Sequence, residues 1–152
     1  MYRLDEPWDG PNNSKLHNVE NPIYRCASDP SPQIYTSYVS IQGSNTLFPD
    51  KGTCSLSSIQ DKLSNTILLL EMHNSGIHWM EPKDLSVDEA INGITRKSLP
   101  YVTGRYRKGN QGTLAIFADG RIRTINSDID PKVLRSLIEI DTPDKSSQPY
   151  IN

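Results

Sequence analysis

Histidines are the side chains most able to bind a transition metal, and the chain has three: His17, His73 and His78. His73 and His78 lie close in sequence to Glu71 and Glu81, a grouping that suggests a metal site. The sequence around them is strand-like, and side chains an odd number of residues apart on a strand point to opposite faces. The spacing therefore predicts that these two imidazoles do not share a transition metal.

Four acidic residues form a candidate site for a hard cation, because calcium takes oxygen ligands from flexible loops. They are Glu81, Asp84, Asp88 and Glu89, and their spacing is not that of an EF-hand. The alternative places them at the N-terminus of a helix, where acidic side chains interact favourably with the helix dipole. We favour this second interpretation and expect no cofactor, with calcium as the alternative.

Cys26 and Cys54 are the only cysteines in the sequence, too few for a zinc site of the CxxC type. A disulfide between them would stabilise the fold by about 3.5 kcal/mol in the chain-entropy model. Their spacing fits two free thiols equally well, so both alternatives stay open.

Nucleophilic catalysis has little support in the sequence. There is no Gly-x-Ser-x-Gly motif, and neither cysteine has a histidine nearby in sequence. The basic stretch Gly104–Gly112 could contact phosphate or polysaccharide, but it lacks the strand–glycine–helix context of a nucleotide-binding loop. We therefore predict that the protein is not an enzyme, with a hydrolase as the least favoured function.

The composition is polar and indicates long connections between short elements. Hydrophobic residues make up 35% of the chain, the mean hydropathy is -0.57, and the 152 residues include 11 Pro and 9 Gly. The formal net charge of -2 argues against nucleic-acid binding, which needs a basic excess. The sequence contains neither a long apolar run nor a signal-peptide pattern. The length predicts one domain, residues 1–144, and a polar tail, residues 145–152.

The elements that would position these side chains begin with two predicted strands. Ile34–Gln42 is rich in Tyr, Thr, Val and Ile, which favour strands. Asn65–Met72 contains a continuous apolar run, which predicts a strand buried on both faces and central in the sheet. Ile77–Met80 is a further possible strand.

Gly112–Asn126 predicts a β-hairpin, because the pair Asp119-Gly120 between two β-prone runs suits a two-residue type I′ turn. Such a turn pairs Phe117 with Ile122. The first strand is apolar on both faces and is expected inside the sheet, whereas the arginines of the second place it nearer an edge.

Helices are predicted at three places. A short N-terminal helix is expected to begin after Asp9 or Gly10, with Leu16 and Val19 facing inward. Ser86 and Glu89 form a capping box for a helix that runs through Ile91 and ends near Gly93. Asp130-Pro131 begins the last helix, which has one apolar stripe, Val133, Leu134, Leu137 and Ile138. Together these elements predict an α+β fold in which helices pack on an antiparallel sheet.

Six segments occur here in the order in which one known family has them. They are LDEPWDGPNN (Leu4–Asn13), CASDP (Cys26–Pro30), TSYVSIQG (Thr36–Gly43), LSNTILLLE (Leu63–Glu71), WMEPKDL (Trp79–Leu85) and FADGRIR (Phe117–Arg123). The chain resembles the planctomycete-type family of prepilin-like proteins, which carry an N-terminal prepilin cleavage and methylation segment and a C-terminal His-x9-Asp-Gly motif. The same domain is also called solute-binding-protein-like.

The chain departs from the family pattern at three places. Gly109 stands where the family motif has its histidine, so Asp119-Gly120 is the half of the motif that the chain retains. Ala27 stands where the family commonly has proline. The N-terminal pilin-type helix of the family is missing from this sequence. We expect that this missing helix would be the protein's only contact with a membrane.

The resemblance implies a pseudopilin-like α+β head domain, export by a prepilin-like route, and a location in the cell envelope or outside the cell. It also implies that the partners are other protein subunits of an envelope or pilus-like assembly. We expect a non-enzymatic structural or assembly subunit. The alternative is an extracytoplasmic solute- or glycan-binding module that uses aromatic side chains such as Tyr38, Trp79 and Tyr106.

Overall fold

A four-stranded antiparallel sheet carries much of the hydrophobic core in the computed structural model, which describes residues 1–95, 112–141 and 150–151. The strand order is β1 (Tyr38–Val39), β3 (Ile67–Glu71), β5 (Gly112–Phe117) and β6 (Ile122–Asn126). Two further strands, β2 (Ile41–Gln42) and β4 (Leu85–Ser86), pair in parallel. With the helices α1 (Val87–Thr95) and α2 (Pro131–Ile138), these strands confirm the predicted α+β class.

The strand β3 is central in the sheet, as predicted, because it lies between β1 and β5. Leu70 pairs across the sheet with Val39 on one side and Ala115 on the other, and all three side chains are buried. Full burial of a leucine side chain contributes roughly 1.5–3 kcal/mol. Leu68 and Leu69 are only half-buried, so the burial on both faces is less complete than predicted.

The hairpin of β5 and β6 is confirmed, but its predicted turn and register are wrong. The Phe117 amide donates to the Arg121 carbonyl over 2.9 Å, which closes a loop of three residues instead of two. A type I′ turn requires positive φ at both central residues. Gly120 has φ of 82°, but the φ of Asp119 is not positive. Ile116 therefore pairs with Ile122, one residue away from the predicted partner Phe117.

Contacts with the preceding segment hold this three-residue loop in place. The amides of Ala118 and Asp119 donate to the carbonyls of Thr66 and Leu63, over 2.8 and 3.1 Å. The side chain of Arg123 donates to the Ser64 carbonyl over 2.6 Å. These tertiary hydrogen bonds are long-range, which is why the turn sequence alone does not specify the loop length.

The predicted strand Ile34–Gln42 is interrupted, so the expectation of one continuous strand is wrong. The chain forms β1 and β2, two residues each, with Ser40 between them. The Ser40 amide donates to Asp84 Oδ1 over 3.0 Å, and the Leu85 amide donates to the Ser40 carbonyl over 3.2 Å. These bonds redirect the chain from the main sheet to β4. The predicted strand Ile77–Met80 is reduced to a single bridge, between His78 and Tyr35.

The capping box predicted for α1 is confirmed. The Ser86 amide donates to Glu89 Oε2 over 2.8 Å, and the Glu89 amide donates to Ser86 Oγ over 3.3 Å. The helix continues past the predicted end near Gly93 to Thr95.

The second helix, α2, also begins as predicted, with the Lys132 amide donating to Asp130 Oδ1 over 2.6 Å. Its apolar stripe packs against the core, with Val133 only partly buried. The guanidinium of Arg135 connects the two helices through a 2.8 Å contact with Asp88 of α1.

The N-terminal segment is organised differently from the prediction. Its first helical turn is a 3₁₀ helix, Asn13–Leu16, and Val19, expected to face inward, is 49% exposed. The buried residue is the polar Asn13. Its Nδ2 donates to the carbonyls of Arg3 and Pro7, over 2.8 and 3.0 Å, and its Oδ1 accepts the Arg3 amide over 2.7 Å.

Two more 3₁₀ segments occur, at Pro22–Tyr24 and Leu56–Asn65. Most of the basic stretch Gly104–Gly112, including Tyr106, lies outside the described residues, and only Gly112 of this stretch is described. Most of the predicted tail also lies outside them. Tyr150 and Ile151, which lie in the predicted tail, pack against the core, and Ile151 forms an antiparallel bridge with Ile125 of β6. Within the described ranges, no helix has the length and apolar character needed to cross a membrane.

Candidate functional site

A thiol, a carboxylate and an imidazole converge at the end of the central strand. Glu71 is the last residue of β3, and His73 follows two residues later, so both side chains lie on the same side of the chain. Cys26 reaches the same place from the CASDP loop. One ligand atom from each of the three residues lies within 4.8 Å of the other two. We call Cys26, Glu71 and His73 the β3-end cluster.

Burial leaves polar atoms of this cluster without hydrogen-bond partners. The Glu71 side chain is 3% exposed and that of His73 is 11% exposed. His73 Nε2 lies 3.5 Å from Glu71 Oε1, too far for a good hydrogen bond. Glu71 Oε2 and His73 Nε2 have no hydrogen-bond partner in the structure. Such atoms are costly to bury, so an unpaired buried carboxylate oxygen requires an explanation.

The Cys26 thiol is half-buried and lies 3.1 Å from Ser28 Oγ. Tyr38, which is opposite Glu71 in the ladder between β1 and β3, stands beside the cluster. Partial burial raises the pKa of the Tyr38 hydroxyl, and the negative charges of Cys26 and Glu71 raise it further. Tyr38 therefore stays a neutral phenol beside the cluster.

Asp29 fixes the loop that carries Cys26 against the turn that carries His73. The Asp29 carboxylate accepts the Ser31 amide over 3.0 Å, the Ser37 hydroxyl over 2.7 Å and the Asn74 amide over 3.2 Å. The Asp29 amide donates to the Cys26 carbonyl over 3.0 Å. The two halves of the cluster are therefore joined by hydrogen bonds through one buried carboxylate.

Burial on its own would raise the pKa of Asp29, but the hydrogen bonds from Ser31, Ser37 and Asn74 outweigh it. The pKa of Asp29 consequently lies below its ordinary value. Asp29 is thus held as a carboxylate, the form that accepts all of these hydrogen bonds.

A second cluster of rings forms a continuous stack that we call the N-terminal aromatic stack. Trp8 stacks on His17 at 4.9 Å and on His78 at 5.5 Å between ring centroids. Trp79 stacks on His78 at 5.9 Å and on Tyr24 at 6.0 Å. The stack therefore joins the N-terminal segment to the chain after β3.

The imidazole of His78 is engaged on both nitrogens. Its Nδ1 accepts the Met80 amide over 3.1 Å, so the hydrogen is on Nε2, which donates to the His17 carbonyl over 2.9 Å. His78 and His73 consequently belong to different clusters. His78 packs in the N-terminal aromatic stack, and His73 lies beside Glu71 in the β3-end cluster.

The four predicted calcium ligands each have a separate partner. The Glu81 carboxylate accepts the His78 amide over 3.4 Å, and the carboxylates of Asp84, Asp88 and Glu89 bind Ser40, Arg135 and Ser86. No three of these four carboxylates, all within the described part of the chain, lie within 4.8 Å of one another.

The other predicted site residues occupy separate places. Asp119 accepts the Arg121 amide over 3.0 Å and lies 3.5 Å from the Arg123 guanidinium, so it shapes the hairpin loop beside Gly120. Cys26 and Cys54 are both free thiols. Cys54 lines an open groove of about 420 Å³ together with Phe48 and Asp84.

Sequence reasoning missed the β3-end cluster because it compared His73 with His78. The local signal was the pair Glu71 and His73, whose two-residue spacing puts both on one face of an extended chain. The third member, Cys26, is brought in by tertiary structure. Comparisons with models of protein families, with curated proteins and with solved structures give no match to this chain.

Proposed function

We propose that this domain is a non-enzymatic structural subunit of the cell envelope, the pseudopilin-like head of an exported protein that works in an assembly with other protein subunits. The observation that carries the proposal concerns the polar side chains in the six segments that resemble the prepilin-like family, and the groups to which these side chains bind. Most of the polar side chains that form hydrogen bonds in these segments bind the protein's own backbone. They therefore serve the scaffold, as expected of a structural domain.

Four acidic or amide side chains illustrate this use. Asn13 holds the N-terminal loop, Asp29 holds the CASDP loop, Asp84 redirects the chain after β1, and Asp119 shapes the hairpin loop. Each of these four side chains binds a different part of the backbone, whereas the groups of a catalytic site are directed towards one point.

Exposed apolar side chains near the N-terminal aromatic stack supply a surface for a protein partner. Ile23 is 75% exposed, and its neighbour Tyr24 is 45% exposed while stacking on Trp79. Trp79 also donates to the Val19 carbonyl over 2.8 Å, and Val19 is exposed as well. Adjacent exposed apolar groups of this kind favour contact with another protein.

The test is cross-linking in the native host, with the tagged protein expressed from its own gene. We expect the wild-type protein in the envelope fraction, cross-linked to other subunits, and Ile23→Glu to lose those products. Ile122→Glu is the matched control, because Ile122 is also an exposed apolar residue, 65% exposed. It lies on β6, at the edge of the sheet opposite to β1. Recovery of the wild-type protein as an uncross-linked cytoplasmic monomer would contradict the proposal.

A second candidate is binding of a solute or glycan, supported by the half-exposed ring of Trp79 and the exposed ring of Tyr38. Flat aromatic faces bind sugar rings through apolar contact. Glycan-array binding that is lost in Trp79→Ala and Tyr38→Ala would favour this function. An absence of binding across neutral and acidic glycans would count against it.

A further inference from the structure

We propose that the β3-end cluster is a binding site for zinc or a divalent ion of the same class, with Cys26 Sγ, a carboxylate oxygen of Glu71 and an imidazole nitrogen of His73 as ligands. Thiolate, imidazole and carboxylate are the three protein ligands that zinc uses. Calcium and magnesium are bound by oxygen ligands, so a site with a thiol and an imidazole selects against them.

The spacing of the ligand atoms suits a tetrahedral ion. Two ligands at about 2.0–2.1 Å from a tetrahedral zinc lie about 3.3–3.4 Å from each other. His73 Nε2 and Glu71 Oε1 are 3.5 Å apart, which is close to this edge length and unlike a hydrogen bond. The Cys26 thiol lies within 4.8 Å of one ligand atom of each of these two residues, so it is the candidate for the third corner.

An ion also accounts for the polar atoms that the protein leaves unpaired. Glu71 Oε2 and His73 Nε2 have no hydrogen-bond partner although both side chains are largely buried. A divalent cation would bind the imidazole nitrogen and neutralise the carboxylate together with a Cys26 thiolate, so that no net charge is buried.

The backbone around the site holds the ligands near their places before an ion binds. Glu71 is fixed in the central strand, and its carbonyl accepts the Thr113 hydroxyl over 2.7 Å. Asp29 joins the Cys26 loop to Asn74, the residue after His73. Three protein ligands leave the fourth tetrahedral position open, and Cys26 is the half-buried member of the cluster.

The wild-type protein provides a direct test, because it carries a matched control thiol in Cys54. Zinc bound by a thiolate protects that thiolate from alkylation, so saturating zinc should slow the reaction of Cys26 with iodoacetamide by about tenfold or more. The reaction of Cys54 should not change, and peptide mass spectrometry measures the two rates separately. Equal rates with and without zinc, or equal protection of both cysteines, would overturn the proposal.

Cobalt provides a spectroscopic test of the ligand set. We expect a cobalt–thiolate charge-transfer band in the near ultraviolet and the visible bands of a tetrahedral ion, in the wild type and in Cys54→Ser. Both signals should disappear in Cys26→Ser and weaken in Glu71→Gln and His73→Gln, with circular dichroism checking that each variant is folded. Cobalt signals that survive in Cys26→Ser would show that the ion binds elsewhere and would overturn the proposal. If a variant does not fold, the alkylation rates of Cys26 and Cys54 in the wild-type protein decide whether zinc binds at the cluster.

Discussion

The backbone amide of Asn74 donates to both carboxylate oxygens of Asp29, over 3.2 and 3.3 Å, although the two residues are 45 positions apart in the chain. Asn74 has φ of 55°, so the chain after β3 turns sharply at the point where Asp29 binds it. The contact joins the CASDP loop to the end of the central strand. It is therefore a main determinant of how the β3-end cluster is assembled.

Replacement of Asp29 by Asn should destabilise the protein by about 1–3 kcal/mol, because a neutral amide accepts the buried hydrogen bonds less strongly and adds unpaired donors. Urea unfolding at neutral pH measures the loss. Asp128→Asn, at an exposed acidic residue, is the control and should change stability little. Equal stability of the Asp29→Asn variant and the wild type would show that this carboxylate does not hold the loop.

The same carboxylate predicts a dependence of stability on pH. The folded-state pKa of Asp29 lies below its ordinary value of 3.8, so the contribution is fully present above that value. It is lost as the pH falls below about 4 and through the folded-state pKa, because the unfolded chain then binds the proton more readily. Urea unfolding between pH 7 and pH 3 should show a smaller acid loss in Asp29→Asn than in the wild type.

Gly120 provides a test of the three-residue hairpin loop. Gly120→Val should cost about 1–2 kcal/mol, since valine must adopt the left-handed conformation. A Cβ at this position meets no atom within 4 Å, so the cost is conformational and not steric overlap with neighbours. Gly120→Asn is the matched variant and should lose less, because asparagine tolerates this region. Equal losses in the two variants by urea unfolding would contradict the assigned backbone conformation.

The capping box of α1 predicts a modest effect of its hydroxyl. Ser86→Ala should destabilise the protein by about 1 kcal/mol, because the Glu89 amide loses its acceptor at the start of the helix. Ser86→Thr retains the hydroxyl and should stay close to the wild type. Thermal unfolding of the three proteins makes the comparison, and a Thr variant as unstable as the Ala variant would show that the hydroxyl is not the cause.

The indole nitrogen of Trp79 tests the attachment of the N-terminal segment. Trp79→Phe keeps a ring between His78 and Tyr24 but loses the 2.8 Å hydrogen bond to the Val19 carbonyl. We expect faster tryptic cleavage after Lys15, while Tyr24→Phe, which keeps its ring, should be cleaved at the wild-type rate. An unchanged cleavage rate in Trp79→Phe would show that the bond does not hold this segment.

Features set by short-range sequence patterns could be predicted, and features set by distant partners could not. The continuous apolar run of β3, the Ser86–Glu89 capping box and the stripe of α2 each depend on residues a few positions apart. The hairpin loop was predicted one residue too short because Asp-Gly suits both turn types. Its choice depends on the hydrogen bonds of Ala118 and Asp119 to the segment before β3.

The candidate site shows the same division. Glu71 and His73 are two residues apart, and their common face could have been predicted from the strand. Cys26 joins them through tertiary contacts, among them the hydrogen bond from Asn74 to Asp29 between distant parts of the chain. The break at Ser40 has a similar origin, since the side chain that captures its amide belongs to Asp84, 44 residues later.

The edges of the main sheet limit the ways in which copies of the domain can associate. On one side, β1 offers only Tyr38 and Val39 before Ser40 leaves the sheet. On the other side, Ile151 already occupies part of the edge of β6. Short or covered edges are poor templates for an incoming strand. Polymerisation of this domain would therefore proceed through contacts between side-chain surfaces, and not by extending one sheet from subunit to subunit.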